Sequence, residues 1–357
     1  MIEMTRRGVL TAGAALLARP TFAAPKLAVP EVDSLAIRFL VDGAVHTFAE
    51  PQRSLDLIVE RAPRAAREVE RRLLAEFGLS LLIESRAGGE LRTVLLDFGY
   101  SQGVLVNNAG LLGVDPGQID AMVLSHGHHD HFGGLQGLLS SGRLRRGTPL
   151  LVGGEEALCH RLRGSVDDPF DFGMLDQPAV RAAGVDLRIA PEPAAAGHGL
   201  TTGAIPLTIE RPRTPTWMEP GKGCARERLD PDKRDADRVE DDSRHELGLV
   251  YNVKGRGLVV FGSCSHRGIL NTIVRAHAVT GVDRLHAVIG GFHLVAPQTR
   301  EDAVRTAERM TAMGPDYVVP GHCSGEWFIE AAQTAMPGKV IRPYVGSRFI
   351  FGTAARG

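Results

Sequence analysis

Four times in this chain an apolar run ends on a short loop that carries a histidine. Ala121-Met122-Val123-Leu124 leads into Ser125-His126-Gly127-His128-His129-Asp130-His131. Leu258-Val259-Val260-Phe261 leads into Gly262-Ser263-Cys264-Ser265-His266, and Ala287-Val288-Ile289 into Gly290-Gly291-Phe292-His293. Tyr317-Val318-Val319 leads into Pro320-Gly321-His322-Cys323. Short apolar runs bounded by turn residues read as buried strands. One histidine after a strand is ordinary; four require an edge at which strand ends converge. The first loop also packs four histidines and one aspartate into six consecutive positions, 126–131. Neutral imidazole and carboxylate are the ligands of borderline divalent metals such as zinc. A histidine tract that meets metal only by accident, as a purification tag does, would sit at a terminus with no strand before it.

The rest of the chain supplies the strands such an edge needs. Leu35–Val41 reads as a strand, and 80–84 and 93–97 read as two more joined by a turn at Gly88-Gly89. Further strands are expected at 121–125, 149–152, 185–189, 205–210, 247–253, 257–262, 285–290 and 316–319. Residues 54–77, rich in Ala, Arg, Glu and Leu, read as largely helical, with Pro63 breaking the first half. Helices are also expected near 102–113, 132–140, 155–163, 267–280, 299–313 and 325–335. Because several strands pair as hairpins, two mixed sheets with helices outside fit better than a parallel α/β repeat. A 43% hydrophobic content over 357 residues is enough for such a core. The formal charge of −1 and the lack of a basic arm speak against nucleic-acid partners. No apolar stretch reaches the length of a membrane span. The four cysteines, Cys159, Cys224, Cys264 and Cys323, are scattered and suggest no disulfide framework.

Two segments stand apart. Residues 1–24 carry Thr5-Arg6-Arg7-Gly8-Val9-Leu10, a small apolar stretch from Thr11 to Ala18, and Thr21-Phe22-Ala23-Ala24. This resembles a bacterial twin-arginine export signal. It implies the twin-arginine export machinery as a partner, folding and metal loading before export, and a periplasmic location. Residues 25–357 then form a single domain. Within it, about 211–246 is rich in proline and charge, and Arg226 to Arg244 alternates acids and bases. It reads as a long surface loop, either a lid over the site or a solvated insertion. Arg211, Arg213 and Lys222 read as surface charge, with an anionic substrate as the alternative.

His126, His128, Asp130 and His131 form the pattern His-x-His-x-Asp-His. With it the chain resembles the metallo-β-lactamase superfamily. The resemblance runs from about Leu35 to Phe351. It implies an α/β (α+β) fold, a four-layer αββα sandwich with a one- or two-metal site on one edge. It also implies His126 and His128 on one metal, Asp130 and His131 on a second, and His322 completing the second site. Asp97, at the end of Leu95-Leu96-Asp97, matches an aspartate that orients a metal-bound histidine. The loops 262–266, 290–293 and 320–325 look like a branch of metal-dependent hydrolases that includes the methanopterin-pathway dihydropteroate-synthase-like enzymes. The chain also departs from the family. Most two-metal members carry a separate middle histidine and a bridging aspartate after the strand matching 257–262. Here that loop has no aspartate, so His266 is expected as the third histidine of the first site, with His198 and His293 as rivals. Cys264 reads as a buried neighbour rather than a soft ligand, Cys323 is expected to point away, and His129 to face solvent or substrate.

The expected cofactor is one or two divalent ions, zinc first, with iron or manganese as alternatives. The expected activity is metal-dependent hydrolysis of a small-molecule ester, phosphoester or lactone. Asp130 would orient the nucleophile and His293 donate a proton to the leaving group. Two alternatives stand beside it: a pterin-condensing enzyme of the dihydropteroate-synthase-like kind, and a non-catalytic metal-holding binding protein. No Gly-x-Ser-x-Gly elbow and no phosphate-cradling Gly-Lys loop competes. β-Lactam hydrolysis is not expected, because the charged insertion does not suit an apolar clamp; nor is ribonuclease activity.

Overall fold

The computed structural model describes residues 27–63, 71–165, 167–212 and 216–352. The expected export signal and Arg213 lie outside them. A nine-stranded sheet runs in the order Asp186–Ile189, Pro149–Val152, Ala121–Leu124, Glu90–Leu96, Ser80–Ala87, Ser34–Val41, Arg348–Gly352, Leu57–Glu60, Gln52–Arg53. A seven-stranded sheet runs Ala195–Ala196, Gly199–Ala204, Leu247–Val253, Gly257–Gly262, Leu285–Gly290, Tyr317–Pro320, with Glu31–Val32 beside Leu247–Val253.

The burial pattern makes four layers of these elements. Leu35, Ile37, Phe39, Ile83, Val94 and Val123 of the larger sheet pack against Leu249, Tyr251, Val259, Phe261, Ile289 and Val319 of the smaller one. The opposite face of the larger sheet, with Leu95, Met122 and Leu124, meets Leu105, Leu135 and Leu138 from the helices Gln102–Leu111 and Leu135–Ser140. The outer face of the smaller sheet, with Val260, Val288 and Val318, meets Ile273, Ala307 and Phe328. These belong to the helices Ile269–Thr280, Arg300–Met313 and Glu326–Ala335. The period-two alternation of the strands thus serves two cores at once, the expected αββα sandwich.

Strand direction positions the site. Glu90–Leu96, Ala121–Leu124 and Pro149–Val152 are mutually parallel, as are Gly257–Gly262, Leu285–Gly290 and Tyr317–Pro320. Parallel neighbours end at the same side of a sheet, so the loops after Leu96, Leu124, Gly262, Gly290 and Pro320 emerge together.

Five expectations need correction. Residues 54–63 and 71–77 hold no helix: Leu57–Glu60 is a strand paired antiparallel with Arg348–Gly352. Leu57 and Val59 are buried while Glu60 is exposed, so sheet pairing overrides local helix propensity there. The expected strand at 205–210 is irregular, and the strand lies earlier, at Gly199–Ala204. The expected helix at 155–163 is a short 3₁₀ turn, Glu155–Leu158, followed by the strand His160–Gly164. The insertion is not a plain surface loop. Its strands Thr216–Glu219 and Val239–Glu240 join Pro169–Gly173 and His160–Gly164 in a four-stranded sheet. A Cys159–Cys224 disulfide ties it to the body, contrary to the reading of the cysteines as unpaired.

Candidate metal centre

The strand ends bend sharply where the candidate ligands sit. Among the described residues, five other than glycine take a positive φ: Asp97 (58°), Ser243 (55°), Ser265 (58°), His293 (44°) and His322 (48°). Four of them follow strands of the two parallel sets. Such backbone costs on the order of 1–3 kcal/mol per residue and persists only where the surroundings enforce it.

Among the described residues, the bends bring four overlapping groups of ligand atoms together; two are Asp97/His126/His131 and Cys264/His266/His293, and the other two, the first and second groups, gather the remaining candidates. One nitrogen each of His126, His128 and His266 lie within 4.8 Å of one another. So do one atom each of Asp130, His131, Cys264 and His322. All of these side chains are buried or nearly so. The groups adjoin, since the His126 and His131 rings are 4.2 Å apart between centroids. His293 stands beside the first group, its ring 4.3 Å from that of His266.

The donor chemistry fits a divalent cation. In the second group, Nε2 of His131 is 3.4 Å from Asp130 and 3.2 Å from the Cys264 sulfur. Nε2 of His322 is 3.3 Å from each of the same two partners. Two imidazoles, a carboxylate and a thiol within 4.8 Å of one another are donors that a divalent cation can take. In the first group, His126 Nδ1 is 2.9 Å from Ser125 Oγ, while its Nε2 is buried with no hydrogen-bond partner. A buried nitrogen in that state costs free energy that a bound cation would offset.

The groups share one support and each has others of its own. Asp97 accepts hydrogen bonds from the Ser125 backbone N–H and hydroxyl, both 2.7 Å, from His131 Nδ1 at 2.7 Å, and from the Ser263 hydroxyl. Asp42 accepts the backbone N–H of His322 at 2.8 Å. The first group shares Asp97 through the Ser125 hydroxyl beside His126, and its other supports come from elsewhere. Nε2 of His128 is 3.0 Å from the Thr216 hydroxyl and 3.6 Å from Asp241. Asp241 pairs with the fully buried Arg161 at 2.6 Å. His245 Nε2 accepts the Gly127 N–H at 3.2 Å, and Glu246 accepts the N–H groups of His266 and Arg267 at 2.8 and 2.7 Å.

Protonation differs between the groups. Burial holds the His126 pKa well below the usual imidazole range, and the neighbouring His131, His128 and His266 add to it. Burial pushes His128 down to about 4 despite Asp241. Burial also opposes charge on His131, but Asp130 and Asp97 together outweigh it and raise that pKa to about 9. Burial likewise raises Glu246 to about 7, against the two N–H groups that favour its anion.

His126, His128, Asp130, His131, His266, His322, Asp97, Cys264 and His293, all singled out in the sequence, therefore gather at one edge. His198 does not: it bonds Ser85 at 3.0 Å and Glu90 at 3.3 Å and belongs to neither group. His129 is half-buried, against Tyr100 and Phe132 at 4.8 and 5.0 Å. Cys323 points toward the site rather than away, its sulfur 3.4 Å from that of Cys264, because the left-handed turn at His322 redirects the residue after it. Thr216, Asp241, His245, Glu246, Arg161 and Asp42 were missed. Asp241 to Glu246 closes the charged run just before an apolar strand, and that adjacency was the available signal.

Residues 74–322 match the Metallo-beta-lactamase superfamily, and the chain belongs to that family. It is 27% identical over 286 residues to the 7,8-dihydropterin-6-methyl-4-(beta-D-ribofuranosyl)-aminobenzene-5'-phosphate synthase of Methanocaldococcus jannaschii, across 75% of this chain and 90% of the relative. An uncharacterized protein of the same organism is 25% identical, across 71% of this chain and 86% of its own length. A crystal structure of a metal-dependent hydrolase of the beta-lactamase superfamily superposes with a TM-score of 0.64 at 25% identity, covering 88% of this chain and 98% of that one. The superfamily binds divalent metals, and these clusters are the candidate ligand groups here.

Proposed function

We propose that this protein is a metal-dependent hydrolase that acts on a small-molecule ester, phosphoester or lactone, with zinc as the metal. The observation that carries the reading is the pair of adjoining donor groups, His126/His128/His266 and Asp130/His131/Cys264/His322. In the second group Cys264 takes the place of the bridging aspartate that the loop lacks, a ligand rather than only a neighbour. A divalent ion bound in such a site lowers the pKa of its water from about 16 to about 7 and polarises the oxygen under attack. Asp130, with its carboxylate between His131 and His322, would help hold the ion and orient the attacking water. His293, whose Nδ1 is buried with no hydrogen-bond partner, donates a proton to the leaving group. The test is a phosphodiester, lactone and β-lactam panel, run with and without chelator on the parent protein and on His126→Ala and Asp130→Ala. Hydrolysis lost on chelation and in both variants supports the reading. Turnover that survives either would exclude it, and a protein that holds zinc without turning over any substrate would be a binding protein.

A second reading is favoured by the Methanocaldococcus relative, which is named as a synthase. Phe77, half-exposed, lies 4.8 Å from the His322 ring, and Phe172 lies 5.6 Å from the His128 ring. Of the two, Phe172 is buried, and the exposed Phe77 ring beside the second group suits a flat heteroaromatic substrate. Product analysis separates the readings: a condensation joins two substrates, and hydrolysis consumes water.

We also infer export by the twin-arginine route to the periplasm. The Arg6-Arg7 segment and the Cys159–Cys224 disulfide support it, because structural disulfides persist mainly in oxidising compartments. Cell fractionation of an Arg6→Lys/Arg7→Lys variant should find the protein retained in the cytoplasm; unchanged distribution would count against export.

A further inference from the structure

Apart from Asp97, which also reaches His126 through Ser125, the supports of the two donor groups come from different parts of the chain, and this carries a specific assignment. We propose that the 211–246 insertion is the positioning element of the first group. Thr216, Asp241 and His245 fix His128 and the loop that bears it, and Glu246 fixes the loop that bears His266. The insertion thereby sets occupancy of the first site separately from the second. The assignment rests on the reading of His126, His128 and His266 as metal ligands.

The steps are hydrogen bonds or ion pairs except the approach of His245 Nδ1 to Glu156, at 3.6 Å, where neither atom has a hydrogen-bond partner. With Nε2 of His128 engaged by Thr216 at 3.0 Å, Nδ1 is the nitrogen left to face an ion. Asp241 is held in place: one oxygen accepts from Arg161 Nε at 2.6 Å and the other from the Ser243 N–H at 2.9 Å, and its own N–H bonds the Thr216 carbonyl at 3.1 Å. Arg161, fully buried, also donates to the carbonyls of Glu156 and Cys159, both at 2.9 Å. His245 Nε2 accepts from both Gly127 N–H and Arg161, at 3.2 and 3.0 Å. Its proton therefore sits on Nδ1, on the side of Glu156 at 3.6 Å. Gly127 rests directly on this platform, since a Cβ there would lie 2.3 Å from an Arg161 nitrogen and 2.3 Å from the Ala157 carbonyl. Glu246 fastens the turn that carries His266 through two backbone N–H groups. Asp97, Asp42 and Ser263, which hold the second group, all lie outside the insertion.

Outer partners of ligating histidines typically contribute about 10- to 100-fold to metal affinity. Thr216→Val is close to isosteric and removes only the hydroxyl, so it tests positioning without leaving a buried charge. The full-length protein is stripped with chelator and titrated with Zn2+ against a chromophoric chelator. His266→Ala and His322→Ala assign the steps to the first and second groups. If neither variant alters zinc binding, the ligand reading itself fails. Given assigned steps, Thr216→Val is expected to weaken the first step about 10- to 100-fold and leave the second unchanged. Thr216→Ser should restore it, and the melting temperature of the metal-free protein should stay constant. Asp241→Asn should weaken the same step. A first step within about twofold of the parent in both variants, or equal weakening of both steps, would overturn the proposal.

Discussion

The two donor groups lie side by side yet are built on opposite principles. The second is held by residues at the ends of core strands: Asp97 after Glu90–Leu96, Asp42 just beyond Ser34–Val41, and Ser263 after Gly257–Gly262. The first leans on a chain of buried polar groups running Lys233, Glu156, His245, Arg161, Asp241 to His128, in which Lys233, His245 and Asp241 come from the insertion and Glu156 and Arg161 from the segment before it. Protonation follows the same division, with His131 above the usual histidine range beside two carboxylates and His128 far below it. A site anchored in the sheet ends changes only with the fold. A site anchored in an insertion can be retuned by altering the insertion.

The comparison is most severely strained by removing Arg161. Arg161→Met leaves Asp241 buried and unpaired, and should cost about 3–5 kcal/mol in urea unfolding. The double variant Arg161→Met/Asp241→Leu should recover most of that. A single variant as stable as the parent would show that the buried network does not hold the insertion down.

Cutting the Cys159–Cys224 tether, which spans 65 residues, comes next. Cys224→Ser is expected to lower stability by about 2–5 kcal/mol. Zinc binding should weaken at the first group before the second; an equal loss at both would erase the distinction between them.

Gly127→Ala drives a methyl group into Arg161 and the Ala157 carbonyl. A cost of about 1–3 kcal/mol is expected, with the lost zinc affinity confined to the first group. Differential scanning calorimetry and the zinc titration read the two effects separately.

The mildest test is pH. In the metal-free protein His131 keeps its proton up to about 9, and an incoming ion must displace it. Burial also raises the Cys264 thiol well above its usual value, and, against its burial, Cys323 and Asp130 raise His322, so those protons must leave as well. Zinc affinity at the second group should therefore climb with pH, by about tenfold or more per pH unit from roughly 6 to 9, without levelling off there. His128, at about 4, is already neutral across that window, so the first group should change little. In the metal-free protein the same His131 pairing stabilises the fold fully below about 6.5 and is lost as pH rises through about 9. A flat zinc profile at both groups would remove the electrostatic half of the contrast.

The sheets and the second donor group were largely legible in the sequence, because both depend on local signals. Apolar alternation marks a strand wherever it pairs, and glycine or serine just after it marks the bend that brings His131, Cys264 or His322 to the edge. The support of the first group was not legible, because its meaning lies in distant partners. Asp241, Lys233 and Arg161 have the composition of a solvated surface; only tertiary contact shows that they are buried and matched. The same limit explains Cys159 and Cys224, whose pairing depends on the path of the insertion. At Leu57–Glu60 the pairing partner, Arg348–Gly352, lies nearly 300 residues away, beyond any local window.

Each donor group also draws on both sheets: His126 and His128 with His266 in one, Asp130 and His131 with Cys264 and His322 in the other. An ion in either place would act as a rivet between the two halves of the sandwich, fastening points up to 192 residues apart in the chain (322 − 130 = 192). Closing so long a loop is entropically costly for the unfolded chain, so the rivet would favour the closed form well beyond its immediate neighbourhood. Loading would then be an act of assembly as much as of activation, and the last step of folding would be the moment the edge is pinned.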